Sequence, residues 1–344
     1  MDAEKITYQA ILDAPNLDIG YQTKKGDIPI AKQLNLHIFK GEMVCLLGPN
    51  GSGKSTLIRT LAGMQKSLSG DIFIQNQRLE PQNGRELAQQ MSVVLTEKIA
   101  VSHMTVYELI SLGRYPHTNW LGKLSEHDHA QIEKALTQVD LTAFRSRFVN
   151  TLSDGEKQRV MIAKALAQDT PFIMLDEPTA HLDLPNRIEI MKLLKELAQQ
   201  TYKSILLSTH ELDLALQVAD RIWLMQTDKP LLCGTPEDLV LNGSFEQAFK
   251  KQSFDFDRAS GLFKINYQHS HSICISGEPI RMFWTKRALN RHGYEIAEAQ
   301  HHIPHIDVSE TAWTLSYKST HTECSSIFEL LIAINEVEEE MKSG

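Results

Sequence analysis

The sequence predicts an α/β fold: a sheet wrapped by helices over roughly the first 240 residues, then a smaller α+β domain. Three observations carry this. Short apolar, β-branched runs alternate with helix-period stretches up to about residue 240. One of those runs ends directly on a glycine-rich turn that opens a helix. After Gly234-Thr-Pro236 the pattern changes to a separate set of strands and two helices.

Ile38-Phe39 and Val44-Cys-Leu-Leu47 read as strands, and Lys54 to Ala62 as the helix after the glycine-rich turn. Met91-Ser-Val-Val-Leu95 is a further strand. Residues 87–170 are otherwise helix-rich, with turn punctuation at Gly113, Pro116, Gly122 and Gly155, and read as a helical subdomain inserted into the core. Phe172-Ile-Met-Leu175 and Ser204-Ile-Leu-Leu-Ser208 are apolar throughout, as parallel strands covered on both faces must be. Arg187 to Gln200 is an amphipathic helix with Ile190, Leu193, Leu194 and Leu197 on one face, and Pro185 suits its first turn. Phe245 to Asp257 reads as a helix and linker. Beyond about residue 262 the order is strand, strand, helix, strand, strand, helix. The helices are expected at about Ile280–His292 and Cys324–Met341, with strands at Tyr294–Ala299 and Ala312–Tyr317. The expected domains are 1–243, a linker over 244–261, and 262–344.

Composition narrows the function. With 344 residues, 42% hydrophobic and 23% charged, the chain can bury a large core. The formal charge of −8 is shared evenly between residues 1–240 and 241–344, without a basic arm or stripe, so no nucleic-acid partner is expected. The apolar runs are too short to span a bilayer, and no secretory leader is expected. Cys45, Cys233, Cys274 and Cys324 lack metal-ligand spacing and read as reduced thiols.

The chemistry lies in Gly48-Pro-Asn-Gly-Ser-Gly-Lys-Ser-Thr56, a complete phosphate-loop pattern between a strand and a helix. Its glycines let the backbone N–H groups of Asn50, Gly51, Ser52 and Gly53 turn towards an anion at the helix N-terminus. Lys54 would reach the β- and γ-phosphates as a point charge. Ser55 and Thr56 bring hydroxyls, that of Ser55 for Mg²⁺. The pattern therefore implies ATP with Mg²⁺. About 120 residues on, an apolar strand ends in two carboxylates, Asp176 and Glu177. Asp176 would hold Mg²⁺ or its water, and Glu177 would polarise the attacking water.

A third motif is more specific. Leu152-Ser-Asp-Gly-Glu-Lys-Gln158 resembles the ABC ATPase signature, usually written Leu-Ser-Gly-Gly-Gln, and stands about 18 residues before Asp176. Ser153 is a helix N-cap candidate, and the helix after it would aim its positive end outward. The resemblance implies a head-to-tail homodimer in which Ser153 and Gly155 meet the γ-phosphate of ATP held by the other copy. Thr179-Ala-His-Leu-Asp183 resembles the family's D-loop, with Asp183 contacting across the dimer. Ser208-Thr-His210 resembles its switch-histidine segment, with His210 on the γ-phosphate. Tyr21 stands where the family stacks an aromatic on adenine. The likeness spans about residues 6–240 and implies a P-loop ABC ATPase core: a mixed sheet with the inserted helical subdomain.

Three residues depart from the family's pattern. Glu97 stands where a glutamine is usual; it keeps a carboxyl oxygen for Mg²⁺ or its waters but loses the amide donor. Asp154 replaces a glycine and Glu156 a glutamine.

The stretch Thr105-Val-Tyr-Glu-Leu-Ile-Ser-Leu-Gly-Arg-Tyr-Pro-His117, followed by Thr118-Asn-Trp120, is similar to importers of iron–siderophore, haem and vitamin B12. So is Ala180-His-Leu-Asp-Leu-Pro-Asn186. The likeness implies transmembrane permease subunits contacted near Gly113–Trp120, an extracytoplasmic substrate-binding protein beyond them, and a peripheral position at the cytoplasmic face of the bacterial inner membrane. Two other classes compete: a soluble non-transport ABC ATPase, and an ATP-dependent interaction protein with little turnover. In the C-terminal part, seven of the fourteen histidines fall between His269 and His321. A metal- or haem-sensing domain and a structural or dimer-stabilising one are both readings of that stretch.

Overall fold

The computed structural model describes residues 10–79, 84–96, 103–227, 229–250, 254–298 and 303–343. The chain divides into two compact units, Met1–Lys250 with Phe256–Leu262, and Lys251–Asp255 with Phe263–Gly344.

The first unit is built on a six-stranded sheet. Its order is Leu232–Gly234, Arg221–Leu224, Met43–Leu47, Ser204–Ser208, Phe172–Asp176 and Met91–Val94. All neighbours pair in parallel except the Leu232–Gly234 edge, which is antiparallel to Arg221–Leu224. The central Met43–Leu47 strand is buried at every position, and so is Ser204–Ser208, which explains their unbroken apolar runs. Register brings the site together. Leu46 lies opposite Ser208, and Ser208 opposite Asp176, so the glycine-rich loop, Asp176-Glu177 and His210 all leave the sheet at one carboxyl edge. Open α/β sheets bind ligands at that edge.

A second, antiparallel sheet runs in the order Gly26–Phe39, Ala10–Thr23, Phe73–Ile74, Gln77–Arg78. It shares one core with the first, in which Leu12, Leu17, Ile38, Leu57, Phe172 and Trp223 are buried together. Between Met91–Val94 and Phe172–Asp176 the chain forms helices Val106–Ser111, Glu126–Gln138 and Asp154–Ala167. Thr105, Ser125 and Ser153 open them with reciprocal capping boxes, each closed by an acidic residue three positions on.

The second unit is a five-stranded sheet in the order Tyr294–Ile296, His271–Gly277, His305–Val308, Trp313–Tyr317, Thr320–Cys324. Helices Pro279–Arg291 and Ile327–Ser343 close a core of Ile273, Leu289, Ile306, Leu315, Leu330 and Ile334.

The structure departs from the expectations in four places. Gly155 is the second residue of a helix rather than a turn. Pro116 lies in a 3₁₀ helix, Leu112–His117, rather than in an open turn. After the helix Ser244–Phe249, Phe254–Asp257 is a strand, not linker. In the C-terminal unit His305–Val308 and Thr320–Cys324 are additional strands, so Cys324 ends a strand and the last helix starts at Ile327. Thr320-His-Thr-Glu-Cys324 pairs as an edge strand, and its register against Trp313–Tyr317 overrides its weak apolar pattern.

Candidate nucleotide site

In the loop 48–53, Gly48 and Gly53 are crowded by neighbouring atoms and have no room for a side chain, whereas Gly51 faces open space. A Cβ on Gly53, where φ is 101°, would sit 2.3 Å from Ile30 Cγ2. The helix Lys54–Leu61 begins on Gly53 without any side-chain cap, so its first N–H groups face the loop. The Lys54 ammonium donates to the carbonyls of Gly48 (2.8 Å) and Pro49 (3.2 Å). Lys54 is buried, which pushes its pKa down, while the nearby Glu177 and Asp176 carboxylates push it up. A cation, two carboxylates and an uncapped helix start therefore share one small region. Asn50 and Gly51 lie exposed in the loop and Ser55 exposed in the first turn of the helix, and the buried Ser52 hydroxyl has no hydrogen-bond partner.

One serine holds the Asp176 carboxylate and the Glu177 backbone. Ser208 Oγ donates to Asp176 Oδ1 at 2.5 Å and accepts the Glu177 N–H at 3.0 Å. The same N–H reaches the Ser208 carbonyl at 3.2 Å. Glu177 itself has left-handed backbone geometry, φ 51°, a conformation that costs an L-residue about 1–2 kcal/mol. This turn separates two adjacent side chains: Asp176 points to Ser208, while Glu177 Oε1 lies 2.7 Å from His210 Nε2. Thr96 Oγ1 donates to the Asp176 carbonyl at 2.9 Å. Glu97 lies outside the described residues. Tyr21 comes from the antiparallel sheet, and its hydroxyl is 3.1 Å from Thr56 Oγ1, with the ring half exposed.

Ser153, Gly155 and Asp183 form a second group. Ser153 caps its helix, and Glu156 reaches back to accept the Ser153 N–H at 2.7 Å and its hydroxyl at 2.9 Å. The backbone hydrogen bond from Ser153 leads the causes that lower the Glu156 pKa. The acidic replacement in the signature is thus occupied with its own helix start. Asp154 pairs with Lys157 at 3.4 Å. A Cβ on Gly155 would meet Asn186 Oδ1 at 2.5 Å, so the glycine lets the helix Asp154–Ala167 approach the helix Leu184–Thr201. Asn186 Nδ2 in turn donates to Asp183 Oδ1 at 2.6 Å, and Asp183 caps the helix Leu184–Thr201.

Sequence reasoning missed Ser208 and Asn186. The hydroxyl at the end of an apolar strand was the available signal for Ser208. Asn186 had none, because its contact with Gly155 spans 31 residues of chain.

Near Gly113–Trp120, Arg114 is buried and bonds Asp128 Oδ1 and the Ala167 carbonyl, both at 2.8 Å. Burial raises the Asp128 pKa, but hydrogen bonds from Ser125 and Arg114 overcome it and hold it at about 2. Close to this pair in sequence, Tyr115 and Trp120 stand 75% and 90% exposed. Among the described residues no group of three or more His, Cys, Asp or Glu side chains is arranged to hold a metal ion. His301 and His302 lie outside them.

Residues 31–180 match the family model described as ABC transporter, and residues 270–335 match the one described as iron ABC transporter C-terminal domain. The chain is 39% identical to the petrobactin import ATP-binding protein FpuD of Bacillus anthracis over 232 residues, 67% of this chain and 84% of that one. It is 30% identical to the ferric enterobactin transport ATP-binding protein FepC of Escherichia coli (strain K12), over 70% of this chain and 87% of that one. Among solved structures, a dimeric ATP-binding cassette in a post-hydrolysis state bound to ADP and Pi matches with TM-score 0.56 and 27% identity, over 65% of this chain and 98% of that one.

Proposed function

The chain belongs to the ABC transporter family of ATP-binding subunits, and from that premise we propose that it powers import of an iron–siderophore or similar metal chelate. The observation that carries the catalytic reading is the divergence at the strand end: Asp176 bonded to Ser208, Glu177 bonded to His210, both electrostatically coupled to Lys54.

In this reading Lys54 and the N–H groups of Asn50, Gly51, Ser52 and Gly53 receive the phosphates, and Tyr21 stacks on adenine. Thr56 orients Tyr21 through their hydroxyl contact. Ser55 and Asp176 offer the hydroxyl and carboxylate oxygens that suit Mg²⁺, and Glu97 is a further candidate. The ion would neutralise phosphate charge during transfer. Glu177 polarises the attacking water, and His210 fixes that carboxylate and reaches towards the γ-phosphate. Ser153, Gly155 and Asp183 serve the ATP of a second copy in a head-to-tail dimer. Dimeric cassettes among similar structures support this arrangement.

The Tyr115–Trp120 surface is the proposed seat of a transmembrane permease. An aromatic pair this exposed, close in sequence to a buried ion pair, fits an interface anchor. No helix of the described residues is long and apolar enough to cross a membrane. The proposed location is peripheral, at the cytoplasmic face of the bacterial inner membrane.

The test is ATP turnover by wild type and Glu177→Gln. Wild type hydrolyses ATP, and the substitution lowers kcat by at least ~100-fold and leaves an ATP-bound dimer. Retained turnover in Glu177→Gln would remove Glu177 from the chemistry. Failure of any membrane protein to co-purify with the chain would remove the transport role.

A further inference from the structure

The outer face of the C-terminal unit is patterned for a copy of itself. Helix Pro279–Arg291 follows strand His271–Gly277, and helix Ile327–Ser343 follows strand Thr320–Cys324. Those strands run in the same direction, because one parallel and two antiparallel pairings separate them. Both helices return over one core, so they lie side by side and run in the same sense.

Each helix has an exposed stripe opposite its buried one. On the first the stripe is Ile280, Phe283 and Trp284, then Arg287 and Arg291. On the second it is Phe328 and Ile332, then Glu336 and Glu339. Ile280 and Phe328 are 70% and 74% exposed. Both stripes are thus apolar at the N-terminal end and charged at the C-terminal end, with opposite signs. The spacings also agree. At about 1.5 Å per residue, Ile280 to Arg287 is about 10 Å and Phe328 to Glu336 about 12 Å.

We propose that this two-helix face binds the same face of a second copy around a two-fold axis parallel to the helices. Such an axis keeps the helix direction and exchanges left for right. The first helix then lies on the second copy's second helix, apolar end on apolar end, Arg287 and Arg291 against acidic residues. The contact is isologous, so each pairing occurs twice. Arg287 spreads over the Phe283 and Trp284 rings, with its carbon 5.7 and 5.2 Å from their centroids. Among the described residues it has no carboxylate partner, and Glu336 has no cationic one.

The face is small. A helix of 13 residues is about 20 Å long, and two of them about 10 Å apart present roughly 400 Å², half of what a stable interface buries per partner. It acts as a second clasp on copies already brought together, where effective concentration replaces affinity. This rests on the dimeric reading above.

The experiment is sedimentation velocity on the full chain in the Glu177→Gln background with ATP. Phe328→Asp raises the dimer dissociation constant at least ~10-fold. Arg287→Glu and Glu336→Arg each raise it several-fold, and the two together return it to within ~2-fold of the parent. Unchanged melting temperatures show that the variants fold. A parent that dimerises with a constant indifferent to all these changes overturns the clasp, assigns the face to another partner and leaves the ATP-bound dimer standing. A parent that does not dimerise with ATP, but whose nucleotide-free association still follows the charge exchange, keeps the clasp and overturns the head-to-tail reading. A double variant no better than either single one overturns the Arg287–Glu336 pairing.

Discussion

Asp128→Asn tests how much the buried Arg114–Asp128 ion pair, close in sequence to the exposed Tyr115–Trp120 surface, contributes to stability. Arg114 and Asp128 side chains are only 3% and 7% exposed, at 2.8 Å. Asp128 also accepts Ser125 N (2.9 Å) and Oγ (2.6 Å), so its negative charge is fully used. Asparagine keeps the shape and removes the charge, leaving a buried guanidinium without its hydrogen-bonded counterion. Breaking such a pair from one side costs about 3–5 kcal/mol. At about 2–4 °C per kcal/mol for a unit of this size, the melting temperature should fall by roughly 6–20 °C. The assay is thermal unfolding followed by circular dichroism at pH 7. Arg114→Met with Asp128→Leu is the control; replacing both partners by apolar groups should recover most of the loss. A fall of under about 3 °C in Asp128→Asn, or a double variant as unstable as the single, would refute the reasoning. The pH dependence has a definite sign. The Asp128 pKa is held at about 2, below the ordinary value near 3.9, so its contribution is complete above about pH 4 and disappears as pH falls towards 2. Asp128→Asn should lose that part of the acid sensitivity.

Gly155→Ala should leave stability within about 1 kcal/mol, because the helix-propensity gain offsets the displaced Asn186 hydrogen bond, yet lower ATP turnover at least ~10-fold. Adding Asn186→Ala relieves the clash, and a single variant as active as wild type would show that Asn186 yields freely. Ser208→Ala should lower kcat more than it changes KM for ATP and raise the Mg²⁺ concentration for half-maximal rate, while Ser208→Thr retains most activity. Equal losses in the Ala and Thr variants would point to packing rather than to the hydroxyl.

Much of the first unit was legible because its signals are local. A strand ending on Gly48 and an apolar run ending on Asp176 need no distant information, and Ser153 marks its helix start as an N-cap residue type. The convergence of residues 48, 176 and 210 depends on strand order, which a single sequence does not state. Gly155 was misread as punctuation because its reason lies in Asn186, on another helix. In the C-terminal unit His305–Val308 and Thr320–Cys324 carry polar side chains on the open sheet face, so their strand character comes from pairing rather than from period. The histidines there stood out by number alone; His305 and His321 each bond a serine, Ser276 and Ser316, on a neighbouring strand.

The left-handed turn at Glu177 separates two kinds of selection. Glycine adopts φ 51° freely, so a chain improved only for folding would drift towards glycine there and discard the carboxylate. A variant library sorted for abundance should therefore enrich glycine at 177, while the same library sorted for uptake should return the acid. The backbone at this one residue records how much foldedness the chain forgoes to keep its reaction.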